Sequence, residues 1–150
     1  VGKMAQLVRT LCPVSCGCGS PTRGTFVKSG CPGTCAGVLR ESMKGMDTCE
    51  DMDVLSTSWW ATWMQEAAQL MNDELLAQLS RHGCQALKDH PNKIAYCSGV
   101  AGWSDFKPLA GVCPESCGCR TTKPESLSEY CPDLCRNVPC PRKVCRTEGV

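Results

Sequence analysis

The longest regular alternation of apolar and polar positions lies mid-chain, at STSWWATWMQEAAQLMNDELLAQLSRHG, residues 56–83. Trp60, Met64, Ala67, Met71, Leu75 and Leu79 recur at threes and fours, while Gln65, Glu66, Gln69, Asn72 and Asp73 fall largely opposite. That period belongs to an amphipathic α-helix. Ser56, Thr57 or Ser58 can cap its start, Arg81 and His82 suit its last turn, and Gly83 suits the left-handed residue that closes a helix. Neither Pro nor Gly falls within residues 56–82. The pattern therefore predicts one unbroken helix of about 25 residues, roughly 37 Å long. A second, shorter helix is expected over residues 35–44, ended by Gly45. Elsewhere SPTRG, HPNK and KPES signal turns, and no run alternates as a strand does.

Outside the helical middle the chain is punctuated by cysteine. LCPVSCGC at residues 11–18 returns as VCPESCGC at 112–119, and CPGTC at 31–35 returns as CPDLC at 131–135. The first block holds Cys12, Cys16, Cys18, Cys31 and Cys35; the second holds Cys113, Cys117, Cys119, Cys131 and Cys135. Cys49, Cys84 and Cys97 stand between them, and Cys140 and Cys145 have no counterpart in the first block. One full period, residues 12–112, thus contains eight cysteines. Residues 1–11 occupy the place that 102–112 occupy before the second block, so they read as the tail of a preceding repeat. The organisation expected is a first cysteine-rich unit over 1–48, a central helical segment over 49–112, and a second cysteine-rich unit over 113–150 with an atypical C-terminal end.

Composition sharpens this picture. Cysteine is a tenth of the 150 residues, against two Phe and two Tyr. That is the profile of a disulfide scaffold, in which crosslinks replace part of a core. Close thiol pairs such as Cys16–Gly17–Cys18 could serve zinc, but the two histidines, His82 and His90, lie outside the cysteine clusters. Disulfides are the expectation, with no metal and no cofactor, and disulfides imply an oxidising compartment. A net charge of +1 gives no field for nucleic acid, and no eighteen-residue apolar run exists to span a bilayer. None of GxSxG, HExxH, GxxxxGK[ST], GxGxxG or CxxC occurs, so an enzyme is not expected. Trp59, Trp60 and Trp63, with Met64, crowd one turn of the long helix. They are either core or an aromatic anchor for a partner protein.

CPxSCGC resembles the closing signature of ShK-type (ShKT) cysteine-rich modules, and Cys49–Glu50–Asp51 resembles their C-x-D opening. The resemblance implies the pairs Cys49–Cys119, Cys84–Cys113 and Cys97–Cys117. The chain departs from the family in the long helix between the first two cysteines, in ending C-G-C, and in the appended CPxxC. The same phrase is similar in style to cysteine-rich repeat proteins of photosynthetic protists, whose thylakoid lumen is a second oxidising space.

The fold expected is small, disulfide-rich and mainly α: one long amphipathic helix flanked by two homologous cysteine-rich, loop-rich units. The function expected is a non-enzymatic structural or accessory subunit that braces a larger protein assembly, lumenal in a photosynthetic complex. The alternative is a secreted ShK-like module acting on a receptor or channel. Fifteen cysteines cannot all pair within one chain. Pairing by period leaves the odd thiol among Cys113–Cys145; the ShKT-like pairing leaves it among Cys12–Cys35, with its partner upstream, and this second placement is the one expected.

Overall fold

A computed structural model of the chain describes residues 2–70, 74–98, 106–120 and 129–137. Among these the protein is mainly helical and carries no strand. In chain order the helices are α1 (Lys3–Leu11), α2 (Thr34–Lys44), α3 (Ser58–Leu70), α4 (Glu74–His82), α5 (Lys93–Ser98) and α6 (Asp133–Asn137). Short 3-10 turns at Val54–Ser56 and Gly83–Leu87 flank the α3–α4 region.

The predicted central helix corresponds to α3 and α4. Its start is capped by Thr57, whose Oγ1 accepts the Trp60 N–H at 3.2 Å. Its end comes at His82, and Gly83 takes a φ of +58° that a side chain would strain. Trp60, Trp63 and Ala67 are buried on α3, and Leu75, Leu76 and Leu79 on α4. Met71, Asn72 and Asp73 lie outside the described residues, so the unbroken join and the Met71 part of the stripe do too. The second predicted helix is α2, which begins one residue earlier than expected, and the Gly45 N–H closes it on Glu41.

α1 answers to no element expected from the sequence. Its face of Gln6, Arg9 and Thr10 is polar and is the face tied to the protein. Arg9 Nε donates to the Ser29 carbonyl at 2.6 Å, and Thr10 Oγ1 donates to the Gly30 carbonyl at 2.8 Å. The Arg9 guanidinium sits 4.8 Å from the Phe26 ring centroid.

The two blocks share one core with the central helices. One hydrophobic cluster takes Phe26, Val27, Leu39 and Met43 from the first part of the chain, the tryptophans of α3 and the leucines of α4, and Leu109, Val112 and Tyr130 from the last. An isolated antiparallel bridge joins Phe26 to Phe106, and their rings lie 5.3 Å apart. Trp63 meets Phe106 edge-on at 5.8 Å and stacks on Trp60 at 5.8 Å. The shortage of Phe and Tyr is thus met by putting nearly every described aromatic in one place.

Among the described residues five disulfides crosslink this core: Cys18–Cys31, Cys49–Cys135, Cys84–Cys113, Cys97–Cys117 and Cys119–Cys131. Cys84–Cys113 and Cys97–Cys117 coincide with pairs that the ShKT resemblance implies. Cys49–Cys119 does not form: Cys119 closes the short loop to Cys131, and Cys49 reaches Cys135 in the appended CPDLC phrase. That phrase is outside the ShKT pattern, so its cysteines could not enter the implied pairing. Five crosslinks of this kind place the folded chain in an oxidising environment.

Candidate functional site

The two cysteine blocks share a local structure as well as a sentence. In the first, Cys12 N–H bonds to Val8 O, Cys16 N–H to Cys12 O, Gly17 N–H to Val14 O and Cys18 N–H to Pro13 O. In the second, Cys113, Cys117, Gly118 and Cys119 make the same four bonds to Leu109, Cys113, Glu115 and Pro114. Gly17 and Gly118 both have positive φ, +71° and +80°. At Gly17 a Cβ would also collide with the Arg23 carbonyl, so the CGC glycine is required there. Cys18–Cys31 and Cys119–Cys131 are corresponding crosslinks. Beyond each, CPxxC opens a helix, α2 or α6, with the second cysteine's N–H bonded to the proline carbonyl.

The blocks differ in what they hold. The second is closed on residues 49–98. Cys113, Cys117 and Cys135 are bonded to Cys84, Cys97 and Cys49. Met52 N–H bonds to Val112 O at 2.9 Å, and Leu109 N–H to Tyr96 O at 2.8 Å. The Asp51 carboxylate accepts both the N–H and the hydroxyl of buried Ser116, at 3.0 and 2.5 Å. The C-x-D aspartate of the sequence is therefore a clasp on the CPxSCGC loop.

The first block holds nothing equivalent. Cys12, Cys16 and Cys35 are free thiols, Cys12 exposed and the other two half-buried. Ser15, in the place of Ser116, is exposed. Leu11 is 71% exposed where Val112 is 1%, and Val8 is 45% exposed where Leu109 is fully covered. α1 buries no residue, and Met4, Leu7, Val8 and Leu11 form an apolar stripe on its solvent side. The free thiols among the described residues all lie in the first block; Cys140 and Cys145, on which the competing placement of the odd thiol turns, lie outside the described residues.

Lys107 joins the two halves. Only 1% exposed, its ammonium donates to the carbonyls of Gly17, Ser20 and Arg23. Three acceptors match the three N–H donors of an ammonium. Burial pulls its pKa down to about 8, opposed by the Cys35 thiol and reinforced by Arg23. Lys107 N–H also bonds to Thr25 O at 2.9 Å beside the Phe26–Phe106 bridge. No motif marks this cage, since a lone lysine in DFKPL reads as surface.

Trp59, Trp60 and Trp63 are 8%, 3% and 1% exposed, and Trp59 Nε1 donates to Gly24 O at 2.8 Å. They belong to the core, and Met64 packs half-buried against it. An exposed apolar stripe lies on α1 instead, where Met4, Leu7, Val8 and Leu11 at helical spacing were the available signal. His82 and His90 line one open groove with Gln78, Gln85 and Asp89. Among the described residues no group of three or more His, Cys, Asp or Glu side chains is placed to hold a metal. No described helix is long and apolar enough to cross a membrane. Comparison with family models, curated proteins and solved structures gives no match to this chain.

Proposed function

We propose that the chain is a non-enzymatic structural or accessory subunit, a stapled linker that braces a larger protein assembly in an oxidising lumen. The observation that carries this reading is the contrast between its two surfaces. The inside is fixed by five crosslinks around one aromatic core. The outside presents the Met4–Leu7–Val8–Leu11 stripe, apolar surface of the kind that protein partners cover. The style of the CPxSCGC repeats supports the thylakoid lumen as the compartment and a photosystem or similar complex as the assembly. The test is non-denaturing, non-reducing fractionation of the native source, following peptides of residues 2–137. The reading expects them in a complex with other polypeptides, on the lumenal side of the membrane. Recovery only as a monomer contradicts it.

A second reading, a secreted ShK-like module acting on a receptor or channel, draws support from Cys84–Cys113 and Cys97–Cys117. Burial of Tyr96 weighs against a channel-blocking version, which presents a Lys–Tyr pair to its target. Monomeric protein in the medium is the result that favours it.

A further inference from the structure

We propose that the first cysteine block is an open half-site for a cysteine-bearing helical segment built like residues 49–98, held by three disulfides from Cys12, Cys16 and Cys35 and by the apolar face of α1. The inference rests on reading the chain as an oxidised, stapled scaffold, and it names the partner of that scaffold's exposed face.

The two blocks correspond position by position. Each free thiol occupies the position of a cysteine that the second block bonds to residues 49–98: Cys12 that of Cys113, Cys16 that of Cys117, and Cys35 that of Cys135. The two cysteines paired inside the first block, Cys18 and Cys31, correspond to the two paired inside the second. So the unpaired set is the set that needs a second segment, with none missing and none extra. Chance would not select Cys12, Cys16 and Cys35 together with Ser15, Val8 and Leu11, each exposed or half-buried where its counterpart is bonded or buried.

Among the described residues nothing can fill the site. Cys49, Cys84 and Cys97 are already engaged, and Cys140 and Cys145, being two, cannot close three thiols. Nor do the three thiols converge on a metal among the described residues. The second block takes the segment that precedes it in the polypeptide. The same period, 101 positions from Cys12 to Cys113, puts the first block's occupant ahead of Val1 on the same polypeptide. By the observed order, Cys12 takes the Cys84-like cysteine, Cys16 the Cys97-like one and Cys35 the Cys49-like one. An aspartate two residues after the last of these clasps Ser15 as Asp51 clasps Ser116. Each bond forms between two thiols with release of two protons and two electrons. A disulfide-bearing thiol oxidoreductase of the compartment accepts them by exchange.

The test uses the protein as its native source makes it: alkylation without reduction, digestion, and mass spectrometry of crosslinked peptides. The expected result is Cys12, Cys16 and Cys35 each joined to a different cysteine outside residues 1–150, with no separate chain released on reduction. A Cys16→Ser form of that polypeptide then exposes one new alkylatable thiol, also outside residues 1–150. Alkylated Cys12, Cys16 and Cys35, or bonds among themselves or to Cys140 or Cys145, overturn the proposal. So does a partner that leaves as a separate chain. The ten cysteines of the five observed pairs are the internal control. If they stay protected, the scaffold reading survives a failure here; if they too are alkylated, that reading falls as well.

Discussion

Lys107 shows most directly how a single side chain sets the geometry between the two halves. Replacing it with Met keeps the volume and removes the charge, but orphans the carbonyls of Gly17, Ser20 and Arg23. The expected loss is about 1–3 kcal/mol, measured by denaturant unfolding without reductant. A neutral result would mean the cage contributes nothing. The same residue carries a pH signature. Its pKa is about 8 folded against 10.5 for the free side chain, so between those values the unfolded chain binds more protons. Stability contributed at this site therefore rises with pH from about 8 toward 10.5 and is flat below, with a slope of at most about 1.4 kcal/mol per pH unit. Lys107→Met, compared with the parent after alkylation of its free thiols, should lack that slope. Asp51 is the second residue of this kind. Asp51→Ala leaves the buried Ser116 N–H and hydroxyl without their acceptor and should cost about 1–3 kcal/mol, whereas removing exposed Glu50 should cost under about 0.5.

Among the elements, α3 and α4 were legible because their burial follows a period that sequence displays directly. Thr57 and Gly83 were legible as ends because capping is local chemistry. Trp63→Ala should therefore cost about 3–5 kcal/mol in thermal or denaturant unfolding, its indole being stacked on Trp60 and fully covered. α1 was missed although its stripe has the same period. Residues 1–11 match 102–112 in repeat register, and register says nothing about backbone conformation. The face that helical periodicity would assign to the core is here the face left open, because Gln6, Arg9 and Thr10 take the inner side. Leu7→Ser should accordingly change the stability of residues 1–150 by less than about 0.5 kcal/mol. A loss comparable to that of Trp63→Ala would show that the stripe is packed. The tryptophans teach the converse lesson: crowding three indoles in one turn reads as an anchor, yet Trp63 packs on Phe106, whose other ring partner, Phe26, is eighty positions away, and neither contact is visible to local pattern.

For the molecule as a whole, cysteine count and repetition foretold an oxidised scaffold, but not its connectivity. Which thiols meet depends on how residues 49–98 cross the block: the Asp51 clasp had its sign in C-x-D, but the Met52 and Tyr96 backbone contacts have no signature in spacing. The departure at Cys49, which goes to Cys135 rather than Cys119, shows the limit of reading a pairing from a resemblance. The central claim is that one copy of the cysteine block is closed on the helical segment and the other is open. Thiol mapping of the oxidised chain of residues 1–150 tests it most directly, by alkylation under native conditions followed by reduction, a second label and peptide mass spectrometry. The account predicts the first label on Cys12, Cys16 and Cys35, and the second on Cys18, Cys31, Cys49, Cys84, Cys97, Cys113, Cys117, Cys119, Cys131 and Cys135. A first label on Cys113, Cys117 or Cys135, with Cys12, Cys16 and Cys35 protected in their place, would contradict it.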